Sequence, residues 1–355
     1  MLRDVRNLEG QRVDLGPGLN VFLGRNAQGK TSLLEAVGLL ARGRSFRTDD
    51  LGEVIARGAE GMLIQGTAVG TEGDAELSFR WAPEQRNFSV DHQKIPPREY
   101  AGRLEASVYS TDRLRVVHGP MRERRLYVDR GGAVLSAAYR QTLRDYERIV
   151  HQRNAALQGR HPALEAWDER LAAVGGSLRA HRLSYIARLN EALTTAFRPT
   201  DETYAIEVEP IPAAGATEAE HQTRLANEIR ECASRERLAG RSLVGPHRDP
   251  IRLLVDGRDS AAWASSGQVR TLLLALTLAT LRVYREHTGR SAVALLDDLD
   301  SELDADRTLA VCHTVADQGQ ALVTSAHPEW ASRLGDVARL FRVSAGRVNR
   351  LLGGP

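Results

Sequence analysis

An eight-residue segment near the start of the chain limits its possible folds more than any other feature. Residues 24–31 read Gly-Arg-Asn-Ala-Gln-Gly-Lys-Thr and fit the P-loop pattern G-x-x-x-x-G-K-[ST]. The apolar run 19–23 precedes them, and the helix-forming run 32–37 follows them. A strand, a glycine turn and a helix start, in this order, form an anion-binding site. The sequence therefore predicts a nucleotide-binding α/β domain.

The polar groups of this segment have predicted roles at a bound triphosphate. Lys30 is expected to reach the β- and γ-phosphate oxygens, and the Thr31 hydroxyl is expected to ligate Mg²⁺. The chain has only two lysines, Lys30 and Lys94, against 46 arginines, so the P-loop keeps a compact ammonium that a planar guanidinium cannot imitate. The remaining predicted contacts to the nucleotide are Gly24, Arg25, Asn26, Gly29 and Ser32.

A pair of acids near the other end of the chain predicts the catalytic part of the same site. The apolar run 293–296 ends in Asp297 and Asp298, the Walker B arrangement. Asp297 is expected to hold Mg²⁺, and Asp298 is expected to orient or deprotonate the attacking water. His327, in a loop after the strand-like run 321–324, is placed to sense a γ-phosphate. Two acids that merely cap a strand, and a histidine without a role, are the alternatives.

Residues 265–268 read Ser-Ser-Gly-Gln and come directly before an apolar helical run; they are called the Ser-Gly-Gln segment below. Ser265, Ser266, Gly267 and Gln268 would place hydroxyl and backbone N–H groups at a helix start, which suits an anion. An ordinary helix N-cap explains the same pattern.

Composition limits the class of protein. At 355 residues two domains are expected, and the net charge of +2 means that an anionic partner must meet local basic patches. Cys232 and Cys312 lie far apart without metal-ligand spacing, which suits a reducing cytosol. Residues 1–6 do not resemble a signal peptide, and the run 271–281 is too short to span a bilayer. We expect a soluble cytoplasmic protein.

The order of patterns along the chain predicts an α/β fold with an inserted, mostly helical arm domain. Residues 1–120 alternate strand-like and helical runs, whereas 121–240 carry apolar residues at spacings of three and four. Residues 241–355 return to α/β patterns. The strand-like runs of the first part are 62–69, 75–81, 87–90 and 106–109.

Arginines concentrate in two places that could meet a DNA backbone. Arg44 and Arg47 follow the first predicted helix, and Arg122, Arg124 and Arg125 lie in the basic run 113–130. Solvated surface faces explain both clusters equally well. No aromatic residues are spaced for base stacking, so single-strand readout is not favoured.

These motifs, in this order, resemble the ABC-type ATPases and, among them, the SMC-like DNA-repair branch. Further runs narrow the resemblance to the RecF family of bacterial recombination proteins: 43–47, 110–112, 119–120, 124–125, 152–154, 244–249 and 266–268. Two departures stand out. No further glycine follows Asn26, and Asp298 stands where ABC ATPases usually have glutamate. A shorter acid reaches water less easily, so slow turnover is expected.

The resemblance implies an ABC-type P-loop ATPase head built from residues 1–120 and 241–355, with the arm at 121–240. It implies ATP and Mg²⁺ as cofactors, adds Asp304 to the nucleotide contacts, and predicts an ATP-dependent homodimer in which Ser266 caps the γ-phosphate of the opposing subunit. The implied partners are double-stranded DNA, single-strand/double-strand junctions, and RecR with RecO, which together help to load RecA at gaps. The resemblance also implies weak, DNA-stimulated ATP hydrolysis, which would release the protein from DNA.

Two other functions remain open from the residues alone. The chain could be the nucleotide-binding subunit of an ABC transporter, which co-purification with a membrane permease would support. It could instead be a scaffold that binds nucleotide without hydrolysing it, which a turnover measurement would separate. A small-molecule kinase is disfavoured because it gives the Ser-Gly-Gln segment no purpose.

Overall fold

The computed structural model describes residues 1–70, 73–159, 164–195, 201–209, 215–301 and 303–351. The strands are β1 (Leu2–Arg3), β2 (Leu19–Leu23), β3 (Met62–Ala68), β4 (Ala75–Ala82), β5 (Gln85–Val90), β6 (Gln93–Ile95), β7 (Ala106–Tyr109), β8 (Tyr204–Val208), β9 (Ile251–Val255), β10 (Arg258–Asp259), β11 (Val293–Leu296), β12 (Ala321–Ser325), β13 (Ala338–Ser344) and β14 (Arg347–Arg350). The helices are α1 (Lys30–Arg42), α2 (Pro97–Tyr100), α3 (Arg115–His118), α4 (Met121–Leu135), α5 (Ala137–Gly159), α6 (Leu164–Thr195), α7 (Glu218–Ala239), α8 (Ser260–Trp263), α9 (Ser266–Thr288) and α10 (Ala305–Gln318).

The central sheet has the order β14-β13-β2-β12-β11-β7. Strands β13, β2, β12, β11 and β7 run parallel, and β14 pairs antiparallel with β13. Every residue of β2, β11 and β12 is buried, as expected for parallel strands that are covered on both faces. The carboxyl ends of β2, β11 and β12 therefore meet at one edge, where α/β proteins bind ligands.

A second, antiparallel sheet has the order β1-β3-β4-β5-β6 and shares one apolar core with the first. The core includes Phe22 from β2, Leu34 and Leu39 from α1, and Phe79 from β4, each without solvent exposure. Helix α1 packs against strands of both sheets. The helix that begins at the P-loop is therefore fixed on both sides.

The elements from α3 to α7, together with β8 to β10 and α8, form a mostly helical unit. Helix α6 packs against α5 and α7, and the three-stranded sheet β10-β9-β8 lies beside it. Buried ion pairs hold these helices together. Arg182, 2% exposed, donates two hydrogen bonds to Asp129 at 2.9 and 3.0 Å, and Arg179 does the same to Asp249 at 2.7 and 2.8 Å.

The described chain falls into two compact units, the first from residues 1–114, 201 and 273–351 and the second from 115–195 and 202–272. The predicted fold class, an ABC-type ATPase head with an inserted helical arm, agrees with this division. The boundaries differ from those predicted, because residues 241–272 belong to the second unit. Strand β9 pairs with β8 there, and α8 contacts β9. No helix in the described residues has the length and apolar character for crossing a membrane.

Candidate nucleotide-binding site

The P-loop connects the buried end of β2 to the start of α1, as the sequence predicts. Gly29 has φ of 110°, in the left-handed region that favours glycine. At Gly24 a Cβ atom would lie 2.3 Å from the carbonyl oxygen of Val343, so a side chain cannot fit. No side chain caps the N-terminus of α1, and its first turn holds no acid. Its backbone N–H groups are therefore suited to an anion.

The Lys30 side chain is buried inside this loop, with 4% of its surface exposed. Its ammonium donates to the carbonyl oxygens of Gly24 at 2.8 Å and Arg25 at 3.3 Å. It also lies 3.9 Å from Oδ1 of Asp298. The positive charge is thus held between the P-loop and the end of β11, beside the predicted catalytic acid.

The Thr31 hydroxyl joins the P-loop to Asp297 at the end of β11. Oγ1 of Thr31 lies 2.9 Å from both carboxylate oxygens of Asp297, and Oγ1 of Thr324 donates to Oδ1 of Asp297 at 2.7 Å. Burial raises the pKa of Asp297 to about 6, and the charge of Asp298 adds to the rise. Sequence reasoning missed Thr324, although a threonine at the end of the apolar run 321–324 was the available signal.

This arrangement fits Mg²⁺. A hydroxyl and a buried carboxylate supply the hard oxygen ligands that the ion prefers, and Mg²⁺ keeps its remaining positions for water and phosphate oxygens. Within the residues that the structure describes, no cluster of three or more histidine, cysteine or acidic side chains forms a fuller metal site. Thr31 and Asp297 are therefore suited to hold Mg²⁺ together with a nucleotide, not alone.

Asp298 has the geometry of a residue held for chemistry. Its φ of 47° is uncommon for a residue other than glycine, and its N–H donates to Oγ1 of Thr324 at 2.8 Å. Its Oδ1 atom is buried without a hydrogen-bond partner. The side chain as a whole is 42% exposed, so its carboxylate can also contact a water molecule at this sheet edge.

His327 and Asp304 have more ordinary surroundings. His327 is exposed in the loop after β12, and its N–H donates to Oγ of Ser325 at 2.9 Å. Asp304, predicted as a nucleotide contact, is the N-cap of α10 and accepts from the N–H of Arg307 at 2.8 Å. Asp304 thus caps a helix, and its nucleotide contact stays a prediction.

The Ser-Gly-Gln segment begins α9 in the second unit. The Ser265 hydroxyl accepts from the N–H of Gln268 at 3.2 Å, and the Gln268 side chain accepts from the N–H of Ser265 at 2.9 Å. The amide of Gln268 also donates to Glu202 at 2.8 Å. This is a capping box, so these two side chains, predicted as nucleotide contacts, stabilise the helix start. Ser266 is exposed as the first residue of α9.

The structure corrects the predicted DNA-binding role of Arg124. Its side chain is 3% exposed and donates to the carbonyl oxygens of Val117 at 2.6 Å and Ile251 at 3.2 Å. A guanidinium used in this way cannot reach a phosphate backbone. Arg125 is half-buried and donates to the carbonyl of Asp249 at 3.1 Å, whereas Arg122 is exposed.

Arg44 and Arg47 also differ from each other. Arg47 lies 3.4 Å from the fully buried carboxylate of Glu35 on α1 and 3.3 Å from Asp112. The Arg47 guanidinium is therefore paired with two carboxylates of the first unit, which disfavours the predicted phosphate or DNA contact. Arg44 is exposed and stays a candidate.

Two residues that the sequence analysis missed brace the P-loop. Asn7 donates to the carbonyl of Ala27 at 3.1 Å and accepts from the Ser32 hydroxyl at 2.9 Å. Gln28 accepts from the N–H of Ala345 at 2.7 Å. The Ser32 side chain thus holds Asn7, and only its backbone N–H is suited to a phosphate. Nothing in local sequence spacing marks Asn7, which contacts the loop through the tertiary fold.

The run 244–249 has a structural explanation within the second unit. The carbonyl of Pro246 accepts from Arg182 at 2.8 Å, and His247 Nδ1 lies 2.6 Å from the Tyr146 hydroxyl. Burial lowers the pKa of His247 to about 4, so its ring is neutral near pH 7. The run therefore acts as an internal brace between helices.

Comparison with known proteins gives a consistent result. The model of the RecF/RecN/SMC N terminal domain matches residues 1–349. The DNA replication and repair protein RecF of Symbiobacterium thermophilum is 34% identical over 97% of this chain and 95% of its own length. A solved structure of the recombination mediator protein RecF-ATP in the RecFOR pathway superposes with a TM-score of 0.86 at 27% identity, covering 99% of this chain and 96% of that one.

More distant structures share the fold alone. The Smc head domain from Pyrococcus furiosus, solved with the C-terminal domain of ScpA, superposes with a TM-score of 0.58 at 12% identity. The superposition covers 99% of this chain and 95% of that one.

Proposed function

This chain belongs to the RecF family within the RecF/RecN/SMC N terminal domain group, and we propose that it is an ATP-dependent DNA-binding protein of gap repair. One observation carries the proposal. Three groups needed for ATP chemistry meet at one sheet edge: the Lys30 ammonium, the Thr31–Asp297 pair and the orphaned oxygen of Asp298. A fold of this kind supports many functions, so the site supports the ATP-dependent part of the proposal, and family membership supports the DNA-repair part.

ATP binding follows from the P-loop geometry. The backbone N–H groups around Gly29 and the start of α1 cradle the phosphates, and Lys30 neutralises their charge. Thr31 and Asp297 would hold Mg²⁺ beside the phosphates, where the ion would supply positive charge against theirs. The buried Asp297 carboxylate gains a cation that offsets the burial penalty behind its raised pKa.

Hydrolysis is weak in this proposal. Asp298 accepts a proton from the attacking water and holds this water in line with the γ-phosphate. An aspartate side chain is one methylene shorter than glutamate, so its carboxylate reaches the water less well and turnover is slow. His327, exposed after β12, serves as a γ-phosphate sensor. Hydrolysis then releases the protein from DNA and does not drive movement.

The ATP site is shared between two copies of the chain. The capping box leaves the Ser266 hydroxyl exposed at the start of α9, where the backbone N–H groups and the helix dipole favour an anion. A P-loop already surrounds most of a triphosphate. Ser266 therefore caps the γ-phosphate bound by the other copy, and two such sites form across a two-fold interface.

The proposed partners are nucleic acid and recombination proteins. Duplex DNA and single-strand/double-strand junctions bind through exposed arginines such as Arg44 and Arg122. RecR, acting with RecO, is the proposed protein partner, and the assembly helps to load RecA at gaps. The support for these partners is family membership together with the exposed positions of the two arginines.

An equilibrium DNA-binding measurement tests this proposal. Fluorescence anisotropy of a labelled duplex is followed with ATP and Mg²⁺, with ADP and Mg²⁺, and without nucleotide. Tight binding is expected with ATP only, and it should weaken steeply as salt is raised because arginine contacts release counterions. Equal binding in all three conditions would contradict an ATP-dependent role. ATP hydrolysis that is absent with and without DNA would favour the scaffold alternative.

A further inference from the structure

The segment before α9 exposes an apolar surface. Ala261, Ala262 and Trp263 are all exposed, and 73% of the surface of Trp263 is accessible to solvent. The chain has four tryptophans, and the other three, Trp81, Trp167 and Trp330, are buried or half-buried. Large aromatic side chains dominate the energetics of cores and interfaces, so an exposed tryptophan of this kind indicates a contact surface.

The indole lies at the end of a short, capped helix. Helix α8 is anchored by Ser260, which is 1% exposed, and by the Asp259 carboxylate, which accepts from the N–H of Ala261 at 3.1 Å. The guanidinium of Arg258 lies 5.9 Å from the centre of the Trp263 ring and covers part of it. A tryptophan side chain has only two rotatable bonds, so it loses little conformational entropy when a partner covers it.

The position of Trp263 indicates which partner covers it. Trp263 precedes Ser266 by three residues (266 − 263), and both belong to the second unit. Three residues of backbone span at most about 11 Å, which is less than the width of an ordinary protein–protein contact patch, so a body that covers Ser266 reaches residues 261–264. In the proposed shared site, that body is a second copy of this chain.

We propose that Trp263 is an anchor of the ATP-dependent interface between two copies of this chain, and this inference rests on the shared site proposed above. Tryptophan and arginine are the residues most enriched at interface hot spots, and such anchors pack into pockets that exclude water. The guanidinium of Arg258 beside the indole adds the second of these residue types to the same surface. The exposed serines 265 and 266 supply a polar rim.

Substitution of Trp263 tests this anchor in the full chain. Dimerisation is measured by sedimentation velocity with a non-hydrolysable ATP analogue and Mg²⁺. Trp263→Ala should raise the dimer dissociation constant at least about tenfold, as truncation of a hot spot does. Trp263→Phe keeps an aromatic ring, so its dimer dissociation constant should lie between those of the wild type and Trp263→Ala. ATP binding by the monomer should match the wild type in both variants, which also shows that they fold.

Leu238 supplies a matched control. It is 90% exposed at the end of α7 in the same unit but is distant in sequence from the Ser-Gly-Gln segment. Leu238→Ala should therefore dimerise as the wild type does. If Trp263→Ala dimerises as tightly as Leu238→Ala, Trp263 is not an anchor.

Tryptophan fluorescence gives an independent readout. The wild-type emission should shift to shorter wavelength when the ATP analogue drives dimerisation, and the shift should depend on protein concentration. Trp263→Phe should lose most of this shift. A shift that nucleotide causes equally at every protein concentration would assign the ring to the nucleotide, and a shift seen only with duplex DNA would assign it to DNA. Either result would overturn the anchor.

The outcomes separate this inference from the function on which it rests. A wild-type protein that stays monomeric with ATP contradicts the shared site, and the anchor with it. A wild-type dimer that Trp263→Ala reproduces with unchanged affinity overturns the anchor alone.

Discussion

The Thr31 hydroxyl lies 2.9 Å from both carboxylate oxygens of Asp297, which joins two residues that are 266 positions apart in sequence. Thr31 is the last residue of the P-loop, and Asp297 is the first residue after β11. The bond brings the two ends of the chain into a single site. It also holds together the two groups that are suited to Mg²⁺.

Magnesium binding should depend on pH through Asp297. Burial raises the pKa of this carboxyl to about 6, so the ionised form that Mg²⁺ needs is dominant above that pH. Mg²⁺-dependent ATP binding should weaken as pH falls from about 7.5 to about 5.5. The dependence is measured by determining ATP affinity at a series of Mg²⁺ concentrations at each of the two pH values. Asp297→Asn should show little Mg²⁺ dependence at either pH, and an unchanged wild-type dependence would contradict the assignment.

The same group has a predictable effect on the stability of the metal-free protein. Its folded-state pKa of about 6 exceeds the ordinary aspartate value of about 4, so the folded state binds the proton more tightly than the unfolded state. This contribution to the free energy of unfolding is present below about pH 4 and is lost as pH rises through about 6. Comparing the pH dependence of wild type and Asp297→Asn by thermal unfolding isolates it.

Asp298→Asn should separate ATP binding from ATP hydrolysis. The amide keeps the size of the side chain but cannot accept the proton of water, so turnover should slow at least about tenfold. ATP-dependent dimerisation and DNA binding should persist. Asp306→Asn is a suitable control, because Asp306 is 82% exposed on α10 and pairs with Arg333. Unaltered turnover in Asp298→Asn would assign the general base to another residue.

Lys30→Met should abolish measurable ATP binding and leave the protein folded. Methionine is unbranched like lysine and only one atom shorter, but it has no charge to neutralise the β- and γ-phosphates. Isothermal calorimetry measures the affinity, and thermal unfolding checks the fold. The only other lysine, Lys94, is exposed on β6, so Lys94→Met should bind ATP normally. Unchanged ATP affinity in Lys30→Met would place the nucleotide outside the P-loop.

Arg122 and Arg124 should respond oppositely to substitution by glutamine. Arg122 is exposed, so its loss should reduce the slope of log affinity for duplex DNA against log salt by about one. Arg124 is buried and donates hydrogen bonds to two backbone carbonyls. Arg124→Gln should therefore lower the free energy of unfolding by about 2 kcal/mol. A stable Arg124→Gln protein with a flattened salt slope would contradict the structural role.

Much of the fold and the ATP site could be predicted from sequence because the signals are local. The apolar runs 19–23 and 293–296 coincide with β2 and β11, and the glycines of the P-loop fix the turn between β2 and α1. The membership of the RecF family, expected from motif order, is confirmed.

The parts that were missed depend on contacts between distant residues. The second unit extends to residue 272 because β9 pairs with β8, and no local pattern encodes that register. Arg124 has the same charge as its exposed neighbour Arg122. Only the carbonyls that the tertiary fold brings to Arg124 make it a buried, structural side chain.

One measurement tests the shared ATP site most directly. Ser266→Arg should bind ATP but stay monomeric, because its side chain blocks the γ-phosphate of the other copy, and Lys30→Met should stay monomeric for lack of ATP. A mixed dimer contains one site with an intact Lys30 from one chain and an intact Ser266 from the other. Sedimentation of the two variants mixed with ATP and Mg²⁺ should therefore show a dimer that neither forms alone. A Ser266→Arg protein that dimerises and hydrolyses ATP by itself as the wild type does would contradict the account.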